Sequence, residues 1–444
     1  ELGFTAHELS SVLSRFAGGR ISGREGSVTL SADATFGGSR APSGTGRIEL
    51  RGLWLDLARK DAPPAPLLRR LQGSLAFSLD KGLLAFKETI LRADGGLTLT
   101  LKGSLPIVSN TASDDPFRLT LPWTDASHLL SPWAASTPGE PTDARITGQI
   151  RANLEISGRE IHGAVVLKNV SLVSNLLHLD GVSGTIPLAG SIGQAAGPDR
   201  ASAPEKIPWE NVSEKTYEKA LEKRRKSPDP DKDRHPLTIA VLRYGAIELR
   251  NLEATLAPSG DQIAIQRLGF EAWGGKVSGS GAIQPLGGKA AVALLAEGIS
   301  LQAICDAFPA IKGYISGRLN GLADLSVSQF ALDQVQGQAR FWAVDSRQER
   351  NEISRILIEK LAGQRIRYFN LFGQDRRYDR GVLHVVLRRG DLIFHELDIS
   401  HRTLGIKDLD VKVAPNFNKI SLNHLLESIK EATERIKAGA TSDL

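Results

Sequence analysis

Apolar and polar side chains alternate with period two along much of this chain, the pattern of a strand with one face buried and the other in water. Val28, Leu30, Ala32, Ala34 and Phe36 alternate with Thr29, Ser31, Asp33 and Thr35. Ile146, Ile150, Ala152, Leu154 and Ile156 alternate with Thr147, Gln149, Arg151, Asn153 and Glu155. A later stretch repeats the pattern, with Ile315, Leu319, Ala323, Leu325 and Val327 set against Ser316, Arg318, Asn320, Asp324 and Ser326. Shorter rows are Leu97, Leu99 and Leu101, then Leu383, Val385 and Leu387, then Leu409, Val411 and Val413. Clean one-sided alternation belongs to antiparallel sheets, because parallel sheets covered on both faces read as continuous apolar runs. The turn signals Asp94-Gly95-Gly96, Pro258-Ser259-Gly260-Asp261 and Arg389-Gly390-Asp391 predict hairpins between such strands. The expected architecture is a β meander.

A helix-then-strand unit recurs along the chain. Leu9, Val12 and Phe16 precede Ile21-Ser22-Gly23, and Leu301, Ile304 and Phe308 precede Ile315-Ser316-Gly317 at the same spacing. A degenerate third copy runs from Leu129-Leu130 through Trp133 to Ile146-Thr147-Gly148. Residues 197–236 are highly charged and predict a solvated loop carrying a short helix, with opposite charges three or four residues apart. Amphipathic helices are expected from Glu349 to Gly363, with Ile353, Ile356, Leu357 and Leu361 on one face, and from Ser421 to Ala438. These features divide the chain into segments 1–125, 126–196, 197–236, 237–415 with a helical insertion at 345–380, and 416–444.

Composition fits this reading. Among 444 residues, 44 Gly and 21 Pro with only 6% aromatics imply many turns. The net charge of +5 is too small to make nucleic acid the leading partner for the basic, aromatic stretch of Arg365, Arg367, Tyr368, Phe369, Phe372, Arg376, Arg377 and Tyr378. The single cysteine, Cys305, excludes an internal disulfide framework and a cysteine-based zinc site, and its place on an apolar helical stripe predicts a buried thiol. The apolar run from Ala290 to Ile299 is interrupted by Glu297 and too short to span a membrane, so the sequence predicts a soluble chain with neither signal peptide nor transmembrane helix.

Catalytic patterns are lacking. The nine histidines form no zinc-protease motif, with His395 and His401 the nearest pair, and there is no Gly-x-Ser-x-Gly elbow. Gly274-Gly275-Lys276-Val277 has the lysine of a phosphate loop but no hydroxyl residue after it. No metal, no cofactor and no catalytic residue is expected.

Two segments resemble the AsmA-like family of Gram-negative envelope proteins, relatives of TamB, YhdP and YdbH. Phe270-Glu271-Ala272-Trp273-Gly274-Gly275-Lys276-Val277-Ser278-Gly279 is similar to the family's aromatic-Gly-Gly-Lys/Arg-Val-Ser-Gly strand. Ile311-Lys312-Gly313-Tyr314-Ile315-Ser316-Gly317-Arg318-Leu319-Asn320-Gly321 is similar to its Gly-x-Ile-x-Gly-x-Leu module. The resemblance is clearest over residues 240–415. It implies an elongated, twisted antiparallel β-sheet folded into a taco-like apolar groove with a few short amphipathic helices. It also implies bridge-like, non-enzymatic phospholipid transport between inner and outer membrane. The setting would be the periplasm, with an inner-membrane anchor preceding this sequence and an outer-membrane partner at the C-terminal end. On this reading the acyl chains of phospholipids meet Val28, Leu30, Leu97, Leu99, Ile146, Ile150, Leu154, Ile156, Ile315, Leu319, Leu325, Val327, Leu383, Val385, Leu409 and Val411. The alternative is a non-catalytic assembly scaffold that binds protein strands at its sheet edges.

Overall fold

The computed structural model describes residues 2–5, 21–23, 25–35, 43–59, 62–106, 115–128, 145–158, 160–174, 177–191, 209, 212–226, 236–245, 247–260, 262–284, 288–308, 311–328, 334–360, 366–368, 375–388, 390–412 and 419–421. The chain is mainly β, and among the described residues strand pairing does not close into a barrel. It divides into two compact units, Glu1–Arg200 with Pro258–Asp261, and Ala201–Ala257 with Gln262–Leu444. The expected helices around 9–16 and 129–133 lie outside the described residues, as does the helix expected from Ser421 to Ala438 except for Ser421 itself, which ends a strand.

The first unit contains β1 (Leu2–Thr5), β2 (Ile21–Gly23), β3 (Ser27–Thr35), β4 (Ser43–Arg59), β5 (Ala62–Asp80), β6 (Leu83–Arg92), β7 (Thr98–Pro106), β8 (Phe117–Asp125), β9 (Arg145–Ser157), β10 (Glu160–Val173) and β11 (Leu177–Ser191). From β3 onward each strand pairs antiparallel with the next, while β1 borders β3 and β2 borders the far end of β4. Strands on either side of position 126 belong to the same unit, β8 pairing directly with β9. The core gathers Val28, Leu53, Leu71, Leu75, Leu91 and Leu101. Burying each such side chain contributes about 1.5–3 kcal/mol. Register shifts interrupt β6, β8 and β10, and such bulges bend and twist a strand. At the β10 bulge Gly148 has φ +104, and a Cβ there would lie 2.4 Å from the carbonyl oxygen of Asn169, so only glycine fits.

The second unit contains β12 (Leu237–Tyr244), β13 (Ile247–Ser259), β14 (Gln262–Ala272), β15 (Gly275–Gln284), β16 (Lys289–Ser300), β17 (Ile315–Ser316), β18 (Arg318–Val327), β19 (Gln336–Val344), β20 (Glu352–Ile353), β21 (Ile366–Tyr368), β22 (Arg376–Arg377), β23 (Arg380–Arg388), β24 (Asp391–Thr403), β25 (Ile406–Lys412) and β26 (Lys419–Ser421). Its helices are α1 (Glu214–Lys226), α2 (Leu301–Ala307) and α3 (Arg355–Lys360). Antiparallel pairing joins β14, β15, β16, β18, β19, β23, β24 and β25 in that spatial order. A separate small sheet consists of β17, β20 and β22.

Three expectations need correction here. The row beginning at Ile315 is not one strand. Gly317, with φ +130, turns the chain, so Ile315 and Ser316 enter the small sheet and only residues from Arg318 onward enter the large one. The helix expected from Glu349 to Gly363 is α3 alone among the described residues. Ile353 instead pairs with Ile315 in β20 and is fully buried, and Ser354 caps the helix by accepting the N–H of Leu357 at 3.2 Å. The supposed single apolar face is also divided, since Ile356 is exposed while Ile358 is buried. Finally, α1 is solvated on one face only: its charged side chains such as Glu214, Lys215, Glu218 and Lys219 are exposed, while Tyr217 on its other face, with Val212 just before it, is buried against Leu295, Leu322, Trp342 and Val382. Its predicted charge spacing is present in the Lys226–Glu222 pair at 2.6 Å.

Glu349 ties the small sheet to α2. Its buried carboxylate accepts the backbone N–H groups of Gln302 at 3.1 Å and Gly317 at 2.8 Å, and lies 3.7 Å from the Arg318 guanidinium. A Cβ on residue 317 would fall 2.4 Å from both Asn351 Oδ1 and Tyr378 Oη. Gly317→Ala is therefore expected to destabilise this end of the unit by about 1–3 kcal/mol, in the range of an overpacked core. Thermal denaturation checks it, and an unchanged melting temperature would refute the crowding argument.

Candidate apolar groove

Residues directly opposite on paired strands share a face, so the registers define both surfaces of each sheet. In the second unit one line of partners runs Gly279, Leu294, Ala323, Ala339 and Val385 to Phe394. Beside it run Val277, Ala296, Gly321, Phe341, Leu383 and Leu397. On the other flank are Gly281, Val292, Leu325, Gly337 and Leu387, ending at Leu392. None of these residues is charged. Most remain only half-buried, Leu294, Leu325, Phe341, Leu383, Leu387 and Phe394 among them. No described segment covers the middle of this face.

Large side chains lie flat over glycines on this surface. A Cβ at Gly279 would meet Leu294 Cδ2 at 2.6 Å, one at Gly281 Val292 Cγ1 at 2.8 Å, and one at Gly321 Phe341 Cδ1 at 2.3 Å. The neighbouring strand's leucine, valine or phenylalanine thus fills the space of the missing side chain, leaving a low and smooth apolar floor.

One end of the face is closed. At it, α2 contributes Leu301 and Ile304 against Ile299 and Leu319, while the small sheet and α3 lay Ile353, Ile358 and Tyr378 over Ile399, Leu409 and Val411. Cys305 is buried in α2, and burial pushes its thiol up from the ordinary range. The Tyr378 hydroxyl donates to the carbonyl of Ser316 at 2.7 Å, so this member of the basic, aromatic stretch is a core residue. Where β14 turns into β15, Trp273 and Gly274 adopt φ +44 and +67, and Arg318 donates to the carbonyls of Gly274 at 2.9 Å and Gly298 at 2.7 Å.

The opposite face is polar and partly occupied by α1. Arg340 donates to Glu396 at 2.6 Å and to the carbonyl of Val212 at 2.8 Å, and Arg224 donates to the carbonyls of Leu268 at 3.2 Å and Gly279 at 2.6 Å. Trp209 stacks on His384 with ring centroids 5.9 Å apart, and His395 lies 5.4 Å from the same ring. Burial, then the nearby Arg340, lowers the pKa of His384. His401 lies 2.7 Å from Asp408, and among the described residues no group of three or more His, Cys, Asp or Glu is placed to hold a metal.

The first unit repeats the two-faced arrangement. Leu30, Ile48 and Leu75 are successive partners, as are Leu101, Leu119 and Leu154, and Phe117, Ile156 and Ile161. On the other face Arg118 donates to its direct partner Glu155 at 3.1 Å.

The candidate lipid row falls into three groups. Leu319, Leu325, Val327, Leu383 and Val385 share the apolar face of the second unit, and Val28, Leu30, Leu99, Ile150, Leu154 and Ile156 that of the first. Leu409 and Val411 lie on the apolar face but are fully covered by the small sheet and α3, and Ile315 belongs to that cover. Leu97 is buried at the β6–β7 turn, and Ile146 lies beyond the β10 bulge opposite Leu172. Sequence reasoning missed Val292, Leu294, Phe341 and Phe394. The signal was masked in β16, which reads as a continuous apolar run because α1 covers Leu295 on its other face.

No protein-family model, curated protein or solved structure matches this chain.

The lowered pKa of His384 means that the unfolded chain binds this proton more readily than the folded one. Stability is therefore expected to fall as pH drops through about 6.5, and His384→Gln should flatten that slope. Melting temperatures from pH 8 to 5 check this, and an identical slope in the variant would contradict it.

Proposed function

We propose that this protein is a non-enzymatic carrier of phospholipid acyl chains, held on the apolar faces of its sheets. The observation that carries the reading is the unbroken, uncharged and half-open apolar surface of the second unit between β14 and β24. An apolar sheet face must be covered by another layer or by a ligand. Its floor of leucine, valine, alanine and glycine offers no polar group to fix one atom of a ligand, which suits a flexible chain. Each methylene buried there is worth about 0.8 kcal/mol, so binding is spread along the chain instead of concentrated at one point. A charged head group would stay in water at the open rim and avoid the cost of desolvation.

The resemblance to the AsmA-like family supports the wider setting. On it we place the protein in the periplasm of a Gram-negative bacterium, moving phospholipids between inner and outer membrane, with an inner-membrane anchor in the full-length protein.

Substitution distinguishes the two faces. Leu325→Asp and Leu154→Asp each put a charge on an apolar surface, whereas Ser326→Asp and Asn153→Asp alter the polar one. The first pair is expected to weaken capture of a fluorescent phospholipid by about tenfold or more, and the second to leave it unchanged. Equal capture by folded Leu154→Asp and Leu325→Asp variants would contradict the proposal.

A further inference from the structure

The hairpin joining β24 to β25 has three locally unfavourable features at one tip. Leu404 is 97% exposed and Ile406 66% exposed, although both are large and apolar. Leu404 and Gly405 form the two-residue turn between the paired Thr403 and Ile406, with φ +50 and +85. A turn with two such residues favours Asn-Gly or Asp-Gly, and a leucine in the left-handed region carries a steric cost. Immediately below, Arg402 and Lys407 are direct cross-strand partners, and like charges so placed repel. Among the described residues Lys407 pairs with Asp410 at 3.5 Å and no carboxylate pairs with the Arg402 guanidinium, although Asp379 accepts the Arg402 backbone N–H and Asp408 accepts the Thr403 hydroxyl at 3.0 Å. A natural sequence concentrates conflicts of this kind where something outside the fold relieves them.

We infer that this tip inserts into the surface of an anionic phospholipid bilayer. A single occupant then relieves all three conflicts. The hydrocarbon accepts Leu404 and Ile406, the phosphates accept Arg402 and Lys407, and the turn holds the leucine at the extreme point of the hairpin. The tip is convex and presents two side chains, so it needs no complementary pocket, which a protein partner would have to supply. Arg347 and Arg350 extend the cationic surface. Both are exposed, make no ion pair among the described residues, and line an open cavity of about 600 Å³ with His401 at the foot of the hairpin. Arg377 lines it as well, as do the carboxylates of Asp345, Glu349 and Asp379, and Asp379 accepts the N–H of Arg402 at 2.8 Å. The hairpin projects from the end of the apolar face that α2 and the small sheet close. The identity of the surface rests on the carrier reading.

The test uses the whole chain with vesicles of phosphatidylcholine alone and of phosphatidylcholine mixed with phosphatidylglycerol. Binding to the mixed vesicles, weakening with added salt, is the expected result. Leu404→Asn suits the turn better, so it should raise the melting temperature while reducing vesicle affinity by about tenfold; capture of a fluorescent phospholipid should not change. Absence of vesicle binding by the native chain, or undiminished affinity in a Leu404→Asn variant, would overturn the inference. Vesicle binding that requires Leu404 in a chain that captures no phospholipid would uphold this tip and remove the carrier reading instead.

Discussion

Everything in this structure depends on cross-strand register. A strand's side chains alternate between faces, so an apolar surface persists across many strands only if each apolar residue is paired with another. A slip of one residue at any hairpin would move that strand's leucines to the solvent face. The tight turns prevent this: Arg388 partners Asp391 around Gly390, and Ala272 partners Gly275 around Trp273 and Gly274. Where a strand must bend, a bulge restores the pairing further on, as β16 does between Ala296 and Ile299.

A sheet so organised has two different surfaces to satisfy. On the polar one, ordinary cross-strand ion pairs suffice, Arg118 with Glu155 in the first unit and Arg340 with Glu396 in the second. These are partly exposed and individually worth little. Helix α1 adds to this surface in the second unit, where Leu295, Leu322 and Trp342 lie apolar on the otherwise polar side. On the apolar surface the solution is uneven. The end near Leu409 and Val411 is sealed by the molecule's own small sheet, and the middle near Leu325 and Ala339 is left open. Sealing one end and leaving the rest is consistent with a surface that holds a ligand, since a core would be sealed throughout.

Much of this was legible from alternation alone. The rows around Val28 and Leu154 in the first unit, and around Leu325 and Leu383 in the second, predicted the strands and the face shared within each unit, because polar residues such as Thr29, Asn153, Asp324 and His384 keep the period of two on the other side even where Leu322 and Val382 interrupt it. The reading failed where a second layer covers a strand from behind, as at β16 under α1, since both faces are then apolar and the period disappears. It failed also at Gly317, where a positive φ breaks an alternating run into strands of two different sheets. The capping stretch around Ile353 was misread because Ile353, Ile356 and Leu357 match a helical spacing while Ile353 is held in a short strand by Ile315. Local pattern carries no information about such a distant partner.

The central claim is that the open apolar face holds lipid, and native mass spectrometry with lipid extraction tests it most directly. The protein would be released from bacterial membranes under mild conditions and its bound molecules weighed and identified. The account predicts one or more phospholipids per chain, released when the acyl chains are displaced by detergent. A protein that is lipid-free after gentle handling would contradict it.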